Sequence, residues 1–325
     1  MKDNMKPIFL PLLFACFVTT LVAGESPITF SVGSWKATQT IQPWAYSEVC
    51  PVGSIIDVKG FANSTEMKNA VLSGSLDMGG QSLPTIISSA VAGEPLVMVS
   101  SLCDHCSALV VHKDAGITKA ADLKGKRIGY PRLSIHHFLL VAYLTKNGLT
   151  TKDVNLVPVE YFDSNTALAS RSVDAYCSGE PFPTQSVDTG VGTILAYPYV
   201  EEAIGGINAG LLVSRKLLES DPAKVQTMVT AHARATQMLL ANEEKWLALG
   251  AKITGKPVEL WKKIRPNIGI TWDMDEAWLK HVKNLGNMML EEKMIKQLPD
   301  YDKMIDRRFV VEAKRILDAE KTKKP

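Results

Sequence analysis

Short apolar segments alternate with segments of helical spacing, and little chain separates them. Ile28–Val32, Ile55–Val58, Leu76–Met78 and Leu96–Val99 read as strands, the first ending at Gly33 and the third closed by Gly79-Gly80. Between them, Ser64 opens a helix with Glu66 in its first turn, and Met67, Ala70, Val71 and Gly74 follow at steps of three and four. Leu83 to Ala92 reads as a further helix, with Pro84 suited to its first turn. Thr38 to Val49 reads as a helix whose start is confined by Pro43. Such alternation favours crossover connections, hence an α/β fold with a mostly parallel sheet and helices on both faces.

After a strand at Ser107–Val111 the pattern restarts. Strands at Arg127–Tyr130, Val154–Tyr161, Asp174–Cys177 and Thr193–Ala196 alternate with helices at Ala120–Gly125, Ser134–Lys146, Asn165–Arg171 and Pro183–Val187. Gly210–Val213 crosses back. From Pro222 the chain reads as helical, led by the stripe Val225, Met228, Val229, His232, Ala235 and Leu239. Shorter helices follow at Val258–Ile264, Asp275–Leu290 and Val310–Asp318, with a loose basic tail after Ala319. The expected organisation is two hinged lobes joined by two crossings. Residues 25–112 and 208–325 form the first lobe and residues 113–207 the second. Two such lobes enclose a cleft that shuts on a ligand, with strand C-termini and helix N-termini facing it.

Lys2 and Lys6 precede the apolar run Ile8 to Val22, and Val22-Ala23-Gly24 follows, so residues 1–24 read as a signal peptide. The run is short for a membrane span and is broken by Pro11, and Phe14 is bulky for a lipid anchor at Cys16. A periplasmic or otherwise extracytoplasmic location is therefore expected. The chain carries 36 Lys and Arg against 34 Asp and Glu, which gives no electrostatic case for a nucleic-acid partner. There is no phosphate-binding Gly loop, no His-Glu-x-x-His and no Gly-x-Ser-x-Gly, so no motif supports a hydrolase or nucleotide enzyme.

Candidate binding residues cluster at strand ends. Trp35 can wall the cleft or stack on a planar ligand. Gln81 and Ser82 stand where a strand gives way to a helix, a place where backbone N–H groups and side-chain donors hold an anion. Ser134, His136 and His137 occupy the first turn of the second lobe's long helix, and Glu180 follows another strand end. Cys103, His105 and Cys106 offer three soft-metal ligands, with Cys50 or Cys177 as a fourth; a disulfide or two packed thiols is the plainer reading.

Several stretches resemble one family. Asp122-Leu-Lys-Gly-Lys-Arg-Ile-Gly129 followed by Ser134-Ile-His-His-Phe-Leu-Leu140 resembles the second-lobe opening of solute-binding proteins of ABC importers, in the nitrate, sulfonate, taurine and bicarbonate group. Val71–Gly79, Asp174–Pro181 and Ile305–Phe309 are similar to further segments of that group, in the same order. The resemblance implies a two-lobed periplasmic-binding-protein fold of type II character. It implies no catalysis and no cofactor. It implies capture of a small polar or anionic solute, nitrate, bicarbonate or an organosulfonate, for delivery to a permease and ATPase of the inner membrane by a monomer. It places Ser134, His136 and His137 in an oxyanion-holding turn and gives Glu180 a contact or metal role. Ile135 departs from the Thr frequent in the group, and Cys103–Cys106 is not typical of it. Two alternatives are a binder of a thiamine-precursor-like pyrimidine and a metal-binding or sensor protein using Cys103–Cys106.

Overall fold

The computed structural model of the chain describes residues 26–62 and 64–322, so the leader read over residues 1–24 lies outside the described residues. The first lobe starts with β1 (Thr29–Trp35), β2 (Ile55–Phe61), α1 (Ser64–Ser73), β3 (Met78–Ser82), α2 (Leu83–Val91) and β4 (Leu96–His105). The second lobe holds β5 (Ser107–His112), β6 (Arg127–Tyr130), α3 (Ile135–Lys146), β7 (Asn155–Pro158), α4 (Ser164–Ala169), β8 (Ala175–Gly179), α5 (Phe182–Asp188) and β9 (Gly192–Ala196). The chain returns through β10 (Ile207–Ser214), α6 (Arg215–Ser220), α7 (Pro222–Ala241), α8 (Glu243–Thr254), α9 (Val258–Ile264), β11 (Ile268–Ile270), α10 (Glu276–Glu291), α11 (Tyr301–Met304) and α12 (Arg308–Thr322).

The sheets run β11-β4-β10-β3-β1-β2 and β7-β6-β8-β5-β9. Most strands run the same way in each, four of six in the first and four of five in the second, with a minority reversed. In the first, β2, β1 and β3 are parallel, but β10 inserts antiparallel between β3 and β4. In the second, β5 pairs antiparallel with β8 and β9. The cause is the crossing itself. A strand that leaves one lobe enters the next at the edge facing it, and so runs against the local strands.

The first crossing falls earlier than expected. Ser107–His112 pairs with the second sheet, so the passage is at His105 and Cys106 rather than after residue 112. Both residues have left-handed backbone, at φ 57° and 78°. This conformation is strained for a residue with a Cβ and marks a forced change of direction. The return lies at Ile207, which pairs with Asp104.

Three local readings change. Gly79, Gly80 and Gln81 continue β3, because β1 and β10 flank it on both sides. α1 packs so tightly there that a Cβ on Gly79 would meet Val71 Cγ2 at 2.8 Å. Thr38–Thr40 and Gln42–Glu48 form 3-10 helices, three and seven residues long, rather than an α-helix. α12 runs to Thr322, past the point where the sequence suggests a loose tail.

The first lobe has one large core, and the second has a cluster on each face of its sheet. α3 belongs to both lobes. Ile135, Phe138 and Leu139 pack with the first core, while Leu140 and Leu144 pack with the second. This explains why α3 is apolar nearly all round, as a helix buried on every side must be.

Candidate functional site

Strand direction fixes where the site lies. β4 runs parallel to β1 and β3, so all three end at the edge where the chain leaves for the second lobe. β6 and β8 are parallel, and Gly179 at the end of β8 pairs with Ser107 at the start of β5. The carboxyl edges of the two sheets therefore meet across the crossing at residues 105–107. α2 starts from the first edge and α3 starts just beyond the second. Ser82 and Ser134 precede these helices, yet neither side chain caps its helix. Amides of both first turns thus lack their usual side-chain acceptor, and the helix dipole favours negative charge there.

The candidate residues gather at this junction, but several spend their donors locally. Trp35 Nε1 donates to Ser64 Oγ at 3.2 Å. Gln81 donates from Nε2 to the Ser64 carbonyl. Ser82 pairs with Thr85 through their hydroxyls at 3.0 Å, and the Ser134 hydroxyl donates to the Pro131 carbonyl at 2.6 Å. The anion donors left in this set are backbone amides and histidine.

Both histidines are buried and both are held neutral by that burial, at about 4. His136 Nδ1 lies 2.8 Å from Ser107 Oγ, which pins α3 to the crossing strand, and its ring stacks on Tyr161. A Cβ on Gly179 would sit 2.8 Å from His136 Cε1, so the close approach of ring and β8 needs a glycine. His137 lies against Tyr130 with ring centroids 4.4 Å apart, and its Nδ1 is buried without a partner. In the tautomer with hydrogen on Nδ1 it can donate to an acidic group.

Glu180 is 1% exposed. Its carboxylate accepts from Asn267 Nδ2 and from the Thr184 N–H, each at 3.2 Å. Burial pushes its pKa up, and these hydrogen bonds oppose the shift. Asn267 also ties into the crossing, through Tyr199, whose hydroxyl lies 3.0 Å from Asn267 Oδ1 and accepts from the Ser107 N–H at 2.6 Å. Asn208 Nδ2 donates to the His105 carbonyl at 2.9 Å and lies 3.1 Å from Cys106 Sγ.

The metal reading of Cys103, His105 and Cys106 is not supported. Among the described residues no group of three or more His, Cys, Asp or Glu is placed to hold a metal. Cys103 and Cys106 are buried free thiols, and burial pushes both pKa values up. His105 instead pairs with Asp104 at 3.0 Å, on a half-exposed side chain.

Gln42, Tyr161, Tyr199, Asn208 and Asn267 were not singled out by the sequence. Tyr161 reads as a strand end there, and Asn267 sits in a region that reads as helical. Only the folded chain brings them to the crossing.

Both the sequence and the fold have known relatives. A family model described as NMT1/THI5 like matches residues 55–245. A putative aliphatic sulfonates-binding protein of Escherichia coli (strain K12) is 26% identical over 200 residues, 61% of each chain. A putative thiamine biosynthesis protein of Haemophilus influenzae is 31% identical over 180 residues, 54% of this chain and 56% of that one. The matches thus span about 60% of the length of these curated relatives. Among solved structures, the alkanesulfonate-binding protein of Xanthomonas axonopodis pv. citri bound to MOPS superposes with a TM-score of 0.72 at 20% identity, covering 87% of this chain and all of that one. With more than half of its length matched by the family model, the chain belongs to the NMT1/THI5-like family.

Proposed function

We propose that the chain is the extracytoplasmic solute-binding component of an ABC import system. It captures a small polar or anionic solute, of the nitrate, bicarbonate or organosulfonate class, between its lobes. It acts by binding, without catalysis, and presents the closed form to a membrane permease served by an ATPase. One observation carries the reading: two helix N-termini, uncapped by Ser82 and Ser134, start at sheet edges that face each other across a crossing. An acid group held there gains from amide donors of both lobes and so favours closure. The named sulfonate-binding relative supports the anionic class.

The test is thermal unfolding of the mature chain, refolded beforehand to strip any carried-over solute. The panel contains nitrate, bicarbonate, alkyl sulfonates, a pyrimidine and divalent metals. A true solute at about 100 times its Kd stabilises the fold by about 2.7 kcal/mol. Stabilisation by a metal or pyrimidine, with none by any oxyanion, overturns the reading.

A further inference from the structure

Two glutamines beside the crossing carry oxygens that nothing satisfies. Gln42 is fully buried, and its Nε2 donates to the Leu102 carbonyl at 2.6 Å. Gln81 is 1% exposed, and its Nε2 donates to the Ser64 carbonyl. A backbone carbonyl only accepts, so each partner fixes which corner of the amide is nitrogen. Turning either amide over would set oxygen against oxygen. The remaining corners, Gln42 Oε1 and Gln81 Oε1, are buried acceptors without a partner. A buried acceptor left unpaired costs about 1–3 kcal/mol, and two beside one candidate site point to a donor that arrives from outside.

Both lie at the carboxyl end of the first sheet, Gln81 on β3 and Gln42 against the carbonyl of Leu102 on β4. Leu102 and Trp35 both press on Gly80, where a Cβ would lie 2.9 and 3.2 Å from their side chains. Trp35 bonds the hydroxyl of Ser64, whose carbonyl holds Gln81. The opposite lobe adds a third acceptor. Glu180 is buried, and its oxygens take two neutral donors, Asn267 and Thr184. Gln39, near Gln42 in the chain, hydrogen-bonds Tyr161 across the junction, and the Tyr161 hydroxyl donates to the Glu180 carbonyl at 2.7 Å. Gln39 of the first lobe and Glu180 of the second are thus joined through Tyr161.

A bare oxyanion suits only part of this site. Sulfonate, nitrate and carboxylate oxygens accept and do not donate, so they repel a glutamine oxygen or a glutamate carboxylate. We propose that the solute carries an amine or ammonium group besides its acid group, and that Gln42 and Gln81 select for it through their unpartnered oxygens. Glu180 supplies the counter-charge, and the acid group goes to the helix N-termini and His137. This inference rests on the cleft being the solute site.

Matched acids with and without nitrogen test it: taurine against ethanesulfonate, and β-alanine against propionate, by calorimetry on the full mature chain. The expected result is that at least one amine-bearing acid binds ten-fold or more tighter than its match. Gln42→Met or Gln81→Met should erase that preference by weakening the amine-bearing acid more than its match. Either variant suffices if the other fails to fold. Equal affinity within both pairs overturns the inference while leaving the cleft reading intact, as does a variant that weakens both partners alike. Binding of nitrate or bicarbonate with no binding of any of the four acids also overturns it. Failure of every oxyanion overturns both.

Discussion

Moving the protein from pH 7 to pH 4.5 is expected to remove about 5 kcal/mol of stability through His136 and His232 alone. His232 is fully buried in α7, with Nδ1 2.9 Å from the Tyr46 hydroxyl and Nε2 2.9 Å from the Ser101 carbonyl. Burial lowers its pKa to about 4, against a smaller upward pull from the Ser101 and Thr271 carbonyls. His136 is lowered to about 4 by burial alone. The sign follows from the order of protonation. The unfolded chain takes up protons near pH 6.5 and the folded chain only near 4, so acid favours the unfolded state. Stability is full above pH 6.5, falls as pH drops towards 4, and levels off below. Each histidine contributes about 2.5 kcal/mol at pH 4.5. Urea melts at the two pH values measure the total. Repeating them on His232→Gln, which keeps a donor and an acceptor, should recover about 2.5 kcal/mol of the loss. A pH dependence identical to that of the unaltered protein would reject His232 as one of its sources.

Asn267→Asp is expected to cost about 3–5 kcal/mol at pH 7. Asn267 Nδ2 donates to Glu180 Oε1, and the substitution replaces that donor with a second carboxylate 3.2 Å away. Both groups are buried, and no Lys or Arg is paired with Glu180 among the described residues. Two adjacent buried carboxylates cannot both ionise, so one proton is retained and the pKa of the pair rises. The deficit should shrink as pH falls from 7 to 5, opposite in direction to the histidine effect. Asn267→Ala removes the donor without adding charge and should cost about 1–3 kcal/mol. Denaturant melts of the two variants at pH 7 and 5 separate charge from lost hydrogen bonding. An Asn267→Asp protein within 1 kcal/mol of the original at pH 7 would show that Glu180 is already protonated there, on the scale of such effects.

Much of the fold was legible because its signals are local. Met67 and Val71 on α1, Pro84 in the first turn of α2 and the stripe on α7 each announce an element through spacing or backbone preference. β11 was not legible. Three residues, Ile268-Gly-Ile270, are too few to show alternation, and the strand exists because the edge of β4 is there to pair with it. The antiparallel insertion of β10 was not legible for a related reason: its place depends on a chain that has already visited the other lobe. The site shows the same division. Its backbone positions were readable at strand ends and helix starts, so Gln81, His136, His137 and Glu180 were named. Which atom of Gln81 is left over was not readable, because Ser64 claims its nitrogen through a contact that only the fold creates. Gln42 and Asn267 gave no signal, since a lone amide in a turn looks like any polar residue.

The insertion of β10 also sets an order of assembly. β3 is complete at residue 82 and β4 at residue 105, yet the strand that joins them spans residues 207–214. All five strands of the second sheet have been made by residue 196. During synthesis the later lobe can therefore settle first, while the earlier one waits with a gap through its middle. Bridging that gap requires contacts between distant parts of the chain, which fold slowly. Until then β3 and β4 each show an unpaired edge able to template pairing with another molecule. A chain stopped before residue 207 should accordingly aggregate through those edges, whereas one ending beyond residue 214 has the means to close them.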